Sequence, residues 1–270
     1  MYTQIMTMYP LLISILHILF IISICQLCRY VSNVLVKHSL ARIAIEEFIC
    51  AVQLCATNFE LGVITQIYGF SAYALGLFFC SFTYTFTFQD GTCDPSECYE
   101  KFCKREMSAR EAVLRATFSI MGAAVSYRFA KIFWSFGLMA THMDFYKNES
   151  CDASLQVPVL IGLGFETFET IVNRLLQNMR HYNMLISAIS DVCITFFGLF
   201  VSGGYFNPTL SFAMEYGCQG LSGPSFFLVY WFGPILGSSI SLKIAKPLLR
   251  IIEGSDEAKV EVVDAKAHSD

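Results

Sequence analysis

Long apolar runs alternate with short polar interruptions along this chain. The runs are Tyr9 to Cys28, Ile43 to Ile67, Tyr68 to Phe88, Ala112 to Trp134, Val157 to Leu176, Met184 to Val201 and Ser225 to Leu249. Each is close to or above the ~20 residues that a helix needs to cross a hydrocarbon core. The pattern therefore predicts seven membrane helices. The first run lacks the basic leader and small-residue cleavage site of a signal peptide, so it reads as an uncleaved helix. Beyond the last run, Glu253 to Asp270 is acidic, mixed in composition and expected to be disordered.

Between the last two runs lies Ser202 to Gln219, which reads as a short helix with both ends marked. Asn207 suits the N-cap, where its side-chain oxygen accepts an orphan backbone N–H. Pro208 suits the first helical position and Gly217 the left-handed residue after the last turn. A helix of about nine residues is ~13 Å long, less than half a bilayer core. At membrane depth such a helix is tolerated only where its open end is buried in protein or faces water. The plain alternative is a surface loop with an Asn-Pro turn. The polar interruption from Gln89 to Arg110 repeats the design: Asp94 can cap, Pro95 can start a helix, Ser96 follows, and Glu97 completes a capping box. Here the alternative is an ordinary capped helix outside the membrane.

Carboxylates interrupt the apolar pattern at Glu46, Glu47 and Glu60, and again at Glu166 and Glu169. Within a span such groups face the bundle interior and a partner. With the first run set aside, three runs carry Glu47 and then Asp94-Pro95, and three more carry Glu166 and then Asn207-Pro208. Three spans reverse the membrane direction, so the halves read as inverted copies. Their short helices would enter from opposite sides and meet N-terminus to N-terminus.

Composition agrees with a membrane location. Of 270 residues 55% are hydrophobic and 15% charged, and the mean hydropathy is +0.53. Soluble domains carry about 25% charge. A net charge of −4 gives no nucleic-acid signature. Most of the eleven cysteines sit in apolar segments, no CxxC pair is followed by another, and the five histidines are scattered. Neither a metal site nor a cofactor is expected. Lys and Arg set the orientation: with Arg29, Lys37 and Arg42 cytoplasmic, Lys101, Lys104, Arg105, Arg110, Arg174, Arg180, Lys243, Lys246 and Arg250 fall on the same side. The sequon Asn148-Glu149-Ser150 then lies lumenally, where Asn148 could be glycosylated, whereas Asn207-Pro208-Thr209 has the forbidden proline.

These residues resemble an aquaporin of the major intrinsic protein family. Ser202-Gly203, Asn207-Pro208 and Val229-Tyr230-Trp231-Phe232-Gly233-Pro234 resemble the family's second half, and Glu47 and Glu166 fall where it places one buried glutamate per half. Glu47-Phe48 with Gln53-Leu54-Cys55 and Glu60-Leu61, Trp134-Ser135-Phe136-Gly137-Leu138 and Cys218 resemble the unorthodox subfamily, the superaquaporins. The resemblance spans Ala41 to Leu249. It implies an all-α membrane protein, an aquaporin-like inverted-repeat bundle with two re-entrant half-helices and an extra N-terminal helix. Residues 1–39 would be the N-terminal helix and basic linker, 40–252 the channel domain and 253–270 the cytoplasmic tail.

The departures sharpen the expectation. The family's first motif is Asn-Pro-Ala; here it is Asp94-Pro95-Ser96. An amide can cap its helix and still donate to a pore water, whereas an ionised carboxylate only accepts. Leu210 stands where the family has a pore-narrowing arginine, and counting back from Asn207 gives Thr195 and Gly204 as further selectivity positions. The remaining wall position lies near Tyr73 to Leu75. The resemblance implies passive passage of water and small neutral solutes such as glycerol or hydrogen peroxide, with Asn207 orienting the permeant. It also implies a homotetramer in an intracellular membrane such as the endoplasmic reticulum, with membrane lipid around it and no covalent chemistry. Rival readings are a seven-helix receptor, a membrane enzyme, and a non-conducting structural protein of the same fold. In the inverted-repeat topology Cys151 and Cys218 are the cysteines left outside the spans on the lumenal side. They are expected to form a disulfide, or Cys218 simply packs as a small apolar side chain.

Overall fold

The computed structural model describes residues 2–148, 151–179, 183–245 and 247–248, with side chains from residue 9 onward. The expected tail, Glu149 and Ser150 of the sequon, and the basic residues Arg180, Lys246 and Arg250 lie outside the described residues. The described helices are α1 (Tyr2–Leu35), α2 (Ser39–Tyr68), α3 (Phe70–Thr87), α4 (Pro95–Cys103), α5 (Ala109–Trp134), α6 (Ala140–Lys147), α7 (Val159–Gln177), α8 (Met184–Gly198), α9 (Pro208–Glu215) and α10 (Gly223–Ala245). Over the described residues the protein is an all-α membrane protein, as expected.

By length and apolarity alone, three described helices suffice to cross a membrane: α1 over Tyr9–Leu35, α2 and α10. The others are shorter, or carry charges that the bundle interior takes up. α8, for example, has 15 residues, and α7 holds Glu166, Glu169 and Arg174. α1 runs beyond the expected end at Cys28 because Arg29 and Ser32 fall on its buried face. Ser14, His17, Ile21, Cys25, Arg29 and Ser32 are buried and recur with helical spacing, while Leu12, Leu16, Leu19 and Leu27 are exposed. The expected loop before Gln156 contains α6, with His142 buried beneath it.

Two four-helix sets repeat the same order. α2, α3, α4 and α5 correspond to α7, α8, α9 and α10. α2 packs along α5 and α7 along α10, while α3 meets α8 and α4 meets α9 between the sets. The two long crossings use the same device. A Cβ on Gly122 of α5 would lie 2.5 Å from the Phe48 carbonyl of α2, and one on Gly237 of α10 would lie 2.6 Å from the Thr167 carbonyl of α7. Only a missing side chain lets these backbones approach so closely. α1 packs against α2, and Leu35 and Ser39 bracket the break between them.

Buried carboxylates of α2 each have a partner. Glu46 accepts from Arg29 Nε at 2.7 Å, Glu47 pairs with Arg115, and Glu60 accepts from Trp134 Nε1 at 3.0 Å and bonds to two histidines. α10 contains a π turn at Leu228–Phe232, and the buried Tyr230 there donates to the Ser202 carbonyl at 2.5 Å.

Candidate functional site

The short helices α4 and α9 start beside each other. Asn207 Oδ1 accepts from the backbone N–H of Thr209 at 2.8 Å and of Leu210 at 3.4 Å, closing the first turn of α9. Asp94 Oδ1 accepts from the Ser96 N–H at 2.8 Å and does the same for α4. Pro95 and Pro208 occupy the first turns, where no backbone donor is lost. Asn207 Nδ2 donates to the Cys93 carbonyl at 3.1 Å, so the two capped ends are joined.

A carboxylate holds the residues just before each cap. Glu47 accepts from the Thr92 N–H at 2.9 Å, the Thr92 hydroxyl at 3.0 Å and the Cys93 N–H at 2.8 Å. Glu166 accepts from the Tyr205 N–H at 3.3 Å and the Phe206 N–H at 2.7 Å. Cys93 and Phe206 are non-glycine residues with positive φ, 56° and 37°. Such a backbone costs ~1–3 kcal/mol and persists only where the surroundings over-determine it. The glutamates supply that constraint by binding two consecutive N–H groups. One glutamate per half therefore aims one short helix at the other.

The halves differ in how they neutralise this machinery. Asp94 and Ser96 are buried, and Arg174 of α7 pairs with Asp94. The same guanidinium reaches Glu97 at 3.0 Å and Glu100 at 3.6 Å. The expected capping box is therefore absent: Glu97 turns away from the Asp94 backbone toward Arg174 and Lys101, because two cations outweigh one neutral N–H. Arg174 is likewise not one of the face-marking basic residues. It is 3% exposed, inside the bundle. Its signal in the sequence was the stripe Asp94, Glu97, Glu100, three carboxylates at three-residue spacing on one helix that needed a cation from elsewhere.

Beside the joined caps is a cavity of about 770 Å³. Asp94, Glu97, Arg174, Asn173 and Gln177 line one part of its wall, and Thr195, Gly203, Gly204, Asn207 and Leu210 another. Thr195, Gly204 and Leu210 thus share one space. Gly204 has φ +66°, and a Cβ there would collide with the Thr195 carbonyl, so the wall at this level is backbone. Of the three candidates left open by the sequence, Tyr73 lines the cavity and Leu75 is 63% exposed. Asn58, Ser81 and Asp191 also line it and drew no attention in the sequence, since no local motif marks them.

Over the end of α9 the chain is fastened by Cys151 and Cys218, which form a disulfide. The Gln219 N–H donates to the Cys151 carbonyl at 2.8 Å, and the Ala153 N–H to the Gln219 carbonyl at 2.9 Å. Glu215, at the end of α9, accepts from the Ser154 N–H and hydroxyl at 2.9 and 2.5 Å and from Tyr205 at 2.8 Å. Residues 151–154 are thereby tied to the loop that carries Gly204 and Asn207, and Asn148 is exposed at the end of α6.

The chain is similar in sequence to known proteins over most of its length. The chain is 25% identical over 244 residues to putative aquaporin-10 of Caenorhabditis elegans, covering 85% of the chain and 84% of that protein. It is 24% identical over 218 residues to human aquaporin-11 (78% and 80%) and 21% identical over 232 residues to mouse aquaporin-12 (82% and 80%). The chain is thus similar to the unorthodox aquaporins. No protein-family model matches it.

Proposed function

We propose that the protein passes water and small neutral solutes, such as glycerol or hydrogen peroxide, passively across an intracellular membrane of the endoplasmic reticulum type, as a homotetramer. The observation that supports this reading is the pair of capped half-helices, joined through Asn207 and the Cys93 carbonyl, opening on one cavity of about 770 Å³. An N–H count gives Asn207 its role. Its oxygen serves Thr209 and Leu210, one hydrogen of Nδ2 serves Cys93, and the other hydrogen is left for a permeant. Asp94 is saturated by Ser96 and Arg174 and offers no donor. Thr195, Gly204, Leu210 and Tyr73 form the selective part of the wall, wider and less cationic than a strict water filter. Asn148 and the disulfide lie on the lumenal side.

Reconstitution into liposomes tests this. Stopped-flow swelling should be faster than in empty liposomes, both under a glycerol gradient and under a water gradient. The ion pair of Asp94 and Arg174 in the cavity wall favours a second reading, a non-conducting protein of the same fold. Swelling rates equal to those of empty liposomes would select it.

A further inference from the structure

We propose that His17, Glu60 and His142 bind a divalent transition-metal ion, zinc being the ion that two imidazoles and a carboxylate suit. The three side chains come from α1, α2 and α6, and all are fully buried. His17 Nδ1 lies 2.7 Å from Glu60 Oε2, His142 Nε2 lies 3.0 Å from Glu60 Oε1, and all ligand atoms fall within 4.8 Å of one another. Ligands at zinc bond lengths of ~2.0–2.2 Å sit about 3.4 Å apart in a tetrahedron. The separations of the three ligand atoms bracket that spacing. Trp134 Nε1 donates to Glu60 Oε2 at 3.0 Å, the kind of outer hydrogen bond that orients a ligating carboxylate.

Charge is the stronger argument. Glu60 is a fully buried carboxylate whose hydrogen bonds come from His17, His142 and Trp134. These are the polar contacts of Glu60 among the described residues, and no arginine is among them. Glu46, Glu47 and Asp94 each have an arginine as counter-ion, whereas Glu166 is held by backbone N–H groups instead. A divalent ion supplies the counter-charge at Glu60. Binding moves each ring proton to His17 Nε2 and His142 Nδ1, which have no hydrogen-bond partner among the described residues. That cost is offset by the ion's field on Glu60.

The site also fits the asymmetry of the fold. Glu60 lies thirteen residues after Glu47, and the residue thirteen after Glu166 is Met179. The ligands unite α2 with α1 and α6, the two helices outside the repeat. The ion would fasten them to the channel body and takes no part in permeation.

The experiment uses full-length, tag-free protein in detergent, analysed for bound metal by mass spectrometry before and after exposure to zinc. One equivalent per chain that resists dialysis, and that is lost in both Glu60→Gln and His142→Gln, supports the site. Cobalt loading of the wild type gives a readout independent of any variant. Visible bands of a tetrahedral nitrogen–oxygen site without thiolate charge transfer support it. Thiolate bands instead would assign the ion to the free cysteines and overturn the proposal. Equal metal in wild type and both variants, or no uptake at all, overturns it too and leaves Glu60 as a hydrogen-bonded carboxylate.

Discussion

Arg174→Leu should cost most of its stability through one partner. Arg174 faces Asp94, Glu97 and Glu100, but the last two have second cations, Lys101 at 2.7 Å and Lys104 at 2.5 Å. Asp94 depends on Arg174 alone among these, with side-chain exposures of 8% and 3%. Removing one partner of a buried pair costs ~3–5 kcal/mol, because the other charge is left uncompensated. In an Asp94→Asn background that charge is gone, while the amide still caps α4 as Asn207 caps α9. There Arg174→Leu should cost about 1–2 kcal/mol, giving a coupling of ~2–3 kcal/mol in a double-mutant cycle. Thermal unfolding in detergent, followed by tryptophan fluorescence, gives the four stabilities, and proteoliposome swelling follows function in parallel. Asp94→Asn alone should keep or raise water permeability, since it adds a donor at the junction. A coupling below about 0.5 kcal/mol, within ordinary additivity, would refute the assignment of Arg174 as the counter-ion of Asp94.

Other expectations follow from neighbouring features. Cys151→Ser should destabilise by about 4 kcal/mol, the loop-closure entropy for a separation of 67 residues; reduction of the wild type should reproduce the shift, and equal melting temperatures would exclude it. Glu166→Leu leaves two buried N–H groups unpaired at ~1–3 kcal/mol each and should abolish swelling, whereas Glu166→Gln keeps an acceptor and should retain a measurable part of it. Leu210→Arg should slow glycerol at least about tenfold, a barrier increase of ~1.4 kcal/mol, while sparing water; equal loss of both would remove Leu210 from the selective wall. Asn148→Gln should abolish a glycosidase-sensitive gel shift, and a shift that persists would move the sugar elsewhere or reverse the orientation.

Much of the architecture was legible because its signals are local. Asn207-Pro208 and Asp94-Pro95 announce helix starts by chemistry that needs no tertiary context, and a glutamate within an apolar run announces an interior. What was not legible depends on distant residues meeting. Glu97 satisfies every local requirement of a capping box, yet Arg174, 77 residues away, takes its carboxylate. His17 and His142 look scattered in the sequence, and only the packing of α1 and α6 against α2 brings both to Glu60. Tyr73 could not be picked from its neighbours by counting, since the loop between Phe88 and Asp94 sets the helix rotation. α6 was missed because eight residues of mixed polarity carry no span signal.

The clamp of Arg174 on α4 crosses from one repeat to the other, and biosynthesis must respect that. A nascent chain emerges from the ribosome N-terminus first, so Asp94, Glu97 and Glu100 are made long before α7 leaves the exit tunnel. Until then α4 carries three carboxylates with only lysines at its outer edge, and each charge at bilayer depth costs ~2.5–3.5 kcal/mol on insertion scales. The expectation is that the first half-helix stays in water and enters the bundle only when the arginine arrives. A chain arrested before α7 should leave Cys98 open to a membrane-impermeant maleimide, and a chain arrested after α7 should protect it, as the mature fold buries it; protection at the earlier stage would show that α4 inserts unaided. Dimer-like repeats are often pictured as two modules that fold and then dock. On this expectation the first module is left unfinished by its own translation, and the second completes it through Arg174.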